Sequence, residues 1–370
     1  MKQPTQSDRR LLRNSGPPRL GAAQIRLLER LCNACSVSGD EGEVRAIVLE
    51  QVRPYGEVKI DALGNVLFTH PGQDQDRLRV MLAAHMDEVG FMLTNDEGEG
   101  IFRFDTVGSI DVRQLAGKPL WVGSEHVPGV IGAKPIHHTT ADERKHSFSL
   151  DALRIDVAPG NGGKVKVGDR ATFATSFTRL GPSLRAKALD DRLGVVTLIE
   201  LIKHAPPNID LQAAFTVQEE VGLRGARVAA YAFDPHMAVA LDSTPANDLP
   251  PMDGDEDSEN TRYNSRLGAG PAIYLSDAAT IADPRLVRHF IETAEAAHIP
   301  YQIRQPGGGA TDAGAIHKQR AGIPSLSVSV PGRYAHTPMG ISRLEDWKNT
   351  LALVYTALTR LTPQVLENDR

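Results

Sequence analysis

Residues 91–178 read as a different protein from the sequence on either side of them. Short β-rich stretches at 101–104, 120–122, 127–131, 164–167 and 171–177 follow one another between glycines, with no helical period among them. Before this block the pattern alternates: a helix ending at Cys35, a second over 44–52, then the apolar run Val80-Met-Leu-Ala-Ala84, which reads as a buried strand. After it the alternation resumes, with a helix over 193–204, strands over 211–217 and 237–241, a helix over 284–298, a strand over 325–330 and a last helix from about 344. An α/β layer that stops, admits an all-β block and continues signals a small module inserted into a loop of a larger domain. A chain of 370 residues also exceeds what one core usually fills. The expected units are an α/β domain from 21–90 and 179–370 and a β module over 91–178, preceded by a polar, arginine-bearing tail over 1–20 expected to be disordered.

A net charge of −5 offers no basic field for phosphates, which argues against nucleic acid as a partner. No run approaches the roughly 18 apolar residues that span a bilayer, so no membrane is expected either. Two cysteines cannot staple an extracellular scaffold and the N-terminus lacks the apolar core of a secretory signal, so the cytoplasm is the expected location. Those cysteines, Cys32 and Cys35, form a C-x-x-C with no second pair to complete a zinc site. They close a helical apolar pattern (Ile25, Leu28, Leu31, Cys32), so a structural role is expected.

Five segments place acid or imidazole side chains directly after an apolar strand or at the start of a helix. They are His85-Met-Asp87, Asp190-Asp191, Glu219-Glu220, Asp242 and His336. In open α/β sheets ligands bind beyond the carboxyl ends of the strands, so these segments would converge on one crevice. A single loop carboxylate is usually just solvated. Four carboxylates and two histidines gathered together would repel and desolvate one another unless cations neutralised them. Imidazole and carboxylate donors without thiolate suit zinc, manganese or cobalt in a catalytic rather than a structural site. Side chains two apart on a strand face the same way, so Asp87 can accept a hydrogen bond from the second ring nitrogen of His85. Adjacent strand residues diverge, so of Glu219 and Glu220 one can hold metal while the other serves as base.

The chain resembles the cytosolic metalloaminopeptidases that assemble tetrahedral particles, the glutamyl, leucyl, lysyl and deblocking aminopeptidases. The resemblance is close to full length and runs through Ser36-Val-Ser-Gly-Asp-Glu41, Asp61-Ala-Leu-Gly-Asn65, Ala83-Ala-His-Met-Asp-Glu-Val-Gly90, Gly129-Val-Ile-Gly132, Lys187-Ala-Leu-Asp-Asp-Arg192-Leu-Gly194, Thr216-Val-Gln-Glu-Glu-Val-Gly222, Gly307-Gly-Gly-Ala-Thr-Asp-Ala-Gly314 and Arg333-Tyr-Ala-His336. It implies an α/β fold, a mixed sheet with helices on both faces like the zinc exopeptidases, carrying a small inserted β-barrel-like dimerisation domain. It implies two divalent metal ions per subunit, zinc or cobalt: Asp190 bridges them, His85 and Asp242 complete one, and Glu220 and His336 complete the other. Glu219 would be the general base, and Asp87 would support the histidine ligand.

The implied activity is removal of N-terminal residues from short peptides with a free N-terminus, by a homo-oligomer of dimers built into a tetrahedral dodecamer. A dinuclear deacylase of N-acyl amino acids would need the same ligands. A glycosidase with Glu219 and Glu220 as its acid pair fits poorly, because neighbouring strand residues diverge and cannot straddle a sugar bond. The acidic stretch 247–260 is expected to be a solvated surface loop, with attraction of basic N-terminal residues as the sharper alternative. Leu120, Trp121, Val130 and Ile131 are expected to pack either inside the β module or against a partner.

Overall fold

The computed structural model describes residues 16–147, 149–249, 265–304 and 307–367, so residues 1–15 of the expected tail and 250–260 of the acidic stretch lie outside the described residues. The α/β domain opens with α1 (Ala22–Asn33), α2 (Gly42–Val52), β1 (Glu57–Ile60), β2 (Val66–His70) and β3 (Leu78–His85). The chain then leaves for β4 (Gly90–Gly98), β5 (Ile101–Val107), β6 (Pro119–Val122), β7 (Val127–Gly132), β8 (Arg154–Asp156) and β9 (Arg170–Phe173). It returns through β10 (Thr178–Leu180), β11 (Ser183–Ala186), α3 (Leu189–Lys203), β12 (Ile209–Thr216), α4 (Arg224–Phe233), β13 (Met237–Pro245) and β14 (Ala272–Tyr274). The remainder is α5 (Pro284–Ala296), β15 (Gln302–Arg304), α6 (Ala313–Ile316), β16 (Ser325–Arg333), β17 (Gly340–Arg343), α7 (Leu344–Thr359) and α8 (Gln364–Glu367).

One mixed sheet runs β1-β2-β12-β3-β13-β16-β17-β11-β10, with β14 and β15 branching beside β16. At its centre β12, β3, β13 and β16 are parallel. The unbroken apolar run in β3 follows from cover on both faces. Val80, Leu82 and Ala84 enter the main core under α1, α3 and α7, while Met81 and Ala83 enter a second core of small residues with Ala226, Ala229 and Ala230 of α4 and Ile316 of α6. The expected α/β fold with a mixed sheet and helices on both faces is what the chain adopts.

Strands β4-β5-β8-β7-β6-β9 close into a barrel. Its core is aromatic: Phe91 meets Phe104 and Phe173 edge to face, both with ring centroids 5.3 Å apart. Alternation on β6 and β7 sorts the four apolar residues singled out from sequence. Leu120 and Ile131 are buried inside, while Trp121 (38% exposed) and Val130 (40%) face outward.

Several expectations need correction. The stretch 164–167 is not a strand; Gly162–Lys164 form a single 3-10 turn, and Val165 buries against the barrel core. Helix α1 stops at Asn33, so Cys35 lies outside it. Glu219 and Glu220 lie past the end of β12, in a turn where Gln218 takes φ 56°, so strand alternation does not explain their directions.

Candidate metal centre

The four parallel strands end along one edge of the sheet, and each delivers a functional side chain there. His85 is the last residue of β3, Asp242 lies near the end of β13, Glu219 and Glu220 follow β12, and His336 follows β16. Asp190 comes from the first turn of α3, where Ala188 adopts φ 52° and the backbone of Asp190 and Asp191 is not yet helical. The loop before β17 is bent by Tyr334 at φ 62° and His336 at φ 57°, which turns the imidazole back over the sheet edge.

Asp190 stands at the middle. Its Oδ1 lies 3.2 Å from His85 Nε2, and its Oδ2 lies 3.6 Å from His336 Nε2. On the first side Asp242 Oδ1 is 3.8 Å from His85 Nε2; on the second, Glu220 Oε2 is 3.2 Å from His336 Nε2. The two oxygens of one carboxylate thus face two separate imidazole–carboxylate pairs.

Both rings are oriented from behind. His85 Nδ1 donates to the Asp87 carbonyl at 3.2 Å with the Asp87 carboxylate 3.5 Å away, and His336 Nδ1 donates to the Ser109 carbonyl at 3.0 Å. Each Nε2 is left pointing into the crevice. Asp87 is itself held by a hydroxyl and two main-chain groups: Ser38 Oγ donates to it at 2.6 Å, Glu219 N–H at 3.0 Å and Glu220 N–H at 3.1 Å. Asp87 therefore positions a histidine and both glutamates at once.

Burial and mutual repulsion leave the acids short of counter-charge. Desolvation pushes Glu220 up to about 7 and raises Glu219 and Asp242 well above the ordinary carboxyl range, with neighbouring carboxylates adding to the effect. Burial, the largest single influence, lowers the imidazoles, but the surrounding acids together outweigh it: Asp190 with Glu220 holds His336 at about 9, and Asp190 with Asp87 and Glu219 keeps His85 well above its usual value. For Asp190 the two histidines outweigh burial and lower its carboxyl below its ordinary value. A crevice with this many donors, all nitrogen or oxygen, fits divalent cations.

The seven residues to which the resemblance assigns roles come together here. Asp312 had been quoted only inside a glycine-rich motif. It is buried, accepts a hydrogen bond from Thr216 Oγ1 at 2.5 Å and, among the described residues, has no partner for Oδ1; burial pushes it up to about 6. Behind Asp87, Glu88 receives Lys187 Nζ at 2.7 Å, Arg192 Nη2 at 3.4 Å and the Thr172 hydroxyl at 3.0 Å. Asp248, grouped with the solvated acidic loop, instead pairs with Arg333 at 2.5 Å and accepts from Leu267 N–H.

Residues 64–353 match the family model of the M42 glutamyl aminopeptidases. A lysyl aminopeptidase of Pyrococcus furiosus is 30% identical over 91% of this chain and 97% of its own length. The crystal structure of a TET aminopeptidase from a marine sediment Thaumarchaeota archaeon superposes with a TM-score of 0.86 at 34% identity, covering 93% of this chain and 99% of that one. The TET1 peptidase of Pyrococcus horikoshii, which can assemble into a tetrahedron or a large octahedral shell, superposes with a TM-score of 0.79 at 33% identity, over 91% of this chain and 100% of its own.

Proposed function

The chain belongs to the M42 glutamyl aminopeptidase family, metal-dependent hydrolases of peptide bonds, and from that premise we propose how its crevice works. Asp190, His85, Asp242, Glu220 and His336 are the residues that would hold two divalent cations, zinc or cobalt: Asp190 would be shared, His85 and Asp242 would complete one site, and Glu220 and His336 the other. The observation that carries this reading is the disposition of Asp190, whose Oδ1 faces one imidazole and Oδ2 the other. Cations held there would supply Lewis acidity, acidifying water and polarising a peptide carbonyl. Glu219 takes the proton of the attacking water and later returns it to the departing amine, a role suited to a buried carboxylate whose proton affinity is raised. Asp87 holds Glu219 and Glu220 in register. The N-terminal side chain of the substrate enters the adjoining cleft lined by Ser243, Arg333, Tyr334, Thr337 and Ile341.

The proposal extends to assembly and place. The outward Trp121 and Val130 on β6 and β7 would meet a partner barrel, giving dimers that build a tetrahedral dodecamer; light scattering measures this directly, and a strict monomer with full activity refutes it. The two free cysteines suit the reducing cytoplasm.

Glu219→Gln keeps the side-chain volume and removes the base. Rates on free-amine peptides should fall by about 10²–10⁴ while bound metal stays constant. Loss of a cation instead would exchange the roles of Glu219 and Glu220. Cleavage of N-acyl amino acids in preference to free-amine peptides would favour the deacylase reading.

A further inference from the structure

Outside the crevice, three donors from distant parts of the chain meet at the seam between the α/β domain and the barrel. Cys35 lies in the loop between α1 and α2, Glu43 in the first turn of α2, and His126 in the tight turn from β6 to β7, at φ 51°. The thiol sulfur, a carboxylate oxygen and a ring nitrogen all lie within 4.8 Å of one another. His126 Nε2 is 2.5 Å from Glu43 Oε1, and the main-chain N–H of Cys35 donates to Glu43 Oε2 at 3.0 Å. The His126 and Glu43 side chains are 39% and 40% exposed, so an ion can enter from solvent.

We infer that Cys35, Glu43 and His126 form a further metal site that binds a zinc-class cation through sulfur, oxygen and nitrogen, with water in the fourth position. An ion pair between His126 and Glu43 accounts for two of the three groups but not for a thiol at the third corner. Sulfur, imidazole and carboxylate are the three donor types zinc accepts, and three protein ligands plus water is a common zinc arrangement. On binding, the Cys35 thiol gives its proton to solvent and its sulfur bonds the cation, so the step balances without an oxidant. Cys32 takes no part: its side chain is wholly buried in the main core. The C-x-x-C spacing therefore misleads, since only its second cysteine faces the donors.

The location gives the site a role. Cys35 precedes Ser36, whose N–H donates to Glu88 and whose hydroxyl donates to the Met86 carbonyl. Ser38, a little further along the same loop, holds Asp87. An ion at Cys35 would staple the barrel turn carrying His126 to the loop that positions the catalytic acids.

Cobalt(II) chloride added to the chelator-stripped full chain tests this. Only a sulfur donor produces a near-ultraviolet thiolate-to-cobalt charge-transfer band, and the crevice has none, so failure here is distinguishable from failure of the dinuclear reading. The band should level off at the intensity of one cobalt-bound thiolate per chain, after however many equivalents the crevice also takes up, with the protein at micromolar concentration. Cys35→Ser should lose the band and one equivalent of metal, yet keep peptidase activity at saturating metal, which reports that it folds. Cys32→Ala should keep the band, and His126→Ala, on an exposed turn, should weaken it. No charge-transfer band at saturating cobalt, or a band that survives Cys35→Ser, overturns the inference.

Discussion

Replacing Asp87 by asparagine changes almost no volume and removes one charge, which isolates what that charge holds. Oδ1 of Asp87 accepts from Glu219 N–H and faces His85 Nδ1; Oδ2 accepts from Glu220 N–H and the Ser38 hydroxyl. An amide offers one acceptor oxygen, so its NH₂ must face donors on one side. The cheaper orientation puts the NH₂ toward Ser38, whose hydroxyl can turn and accept, but this leaves Glu220 N–H unpaired. One charge-assisted hydrogen bond is lost at about 1.5–3 kcal/mol, and a buried donor is stranded. His85 also loses the carboxylate behind its ring, a change that typically lowers metal affinity about 10–100-fold. Chelator competition measures the affinity, a denaturant midpoint the stability, and turnover at saturating metal separates two roles. If Asp87 only positions, excess metal restores much of kcat; if it exchanges protons with substrate, kcat stays low. Unchanged metal affinity together with unchanged stability would refute the reasoning.

Lys187→Met should cost about 3–5 kcal/mol by chemical denaturation, because it leaves Glu88 buried with Arg192 as its remaining cation among the described residues; adding Glu88→Gln should recover part of the loss. Metal affinity should rise with pH: His336 holds a proton up to about 9 in the metal-free chain, so each proton displaced on loading adds about tenfold per pH unit below that value. Proton release measured during metal titration checks this, and pH-independent loading contradicts it. In the metal-free chain the same raised value stabilises the fold fully below 6.5, and that contribution is lost as the pH rises through about 9, a trend that thermal melts with chelator present would read.

What sequence revealed and what it hid follow from how each residue is covered. The run Val80–Ala84 was legible because β3 is buried on both faces and needs no alternation. Helix α4 was not, because its buried stripe is Gly225, Ala226, Ala229 and Ala230, too small to register as an apolar face. Strand β4 was hidden for the opposite reason: its first half pairs with both β5 and β9, but its second half is exposed and polar and is defined by the ladder to β5. The crevice residues stood out because strand ends announce themselves as apolar runs followed by acids. Their division of labour did not, since the directions of Glu219 and Glu220 come from a turn at Gln218 and from the grip of Asp87 on their amides. Charge partners far apart in sequence, such as Glu88 with Lys187 and Arg192, leave no periodic trace at all.

Among the described residues the inserted barrel contributes no crevice donor, yet it is not a passive attachment. The carbonyl of Ser109, just past β5, fixes the ring of His336, and the hydroxyl of Thr172 on β9 completes the shell of Glu88, directly beside Asp87. The seam is also closely packed: a Cβ on Gly90 would lie 2.4 Å from Val37 and 2.7 Å from the Ala171 carbonyl, so the strand leaving the α/β domain can approach only as glycine. A displacement of the barrel would therefore reach the two halves of the crevice by different routes, rotating His336 through Ser109 and shifting Asp87 through Glu88. If barrels pair between subunits, the contact lies on the same module that orients one of the two imidazoles. Assembly and metal geometry are then coupled through a single carbonyl and a single hydroxyl, and excising the barrel would disorient His336 even though every crevice donor remained in the chain.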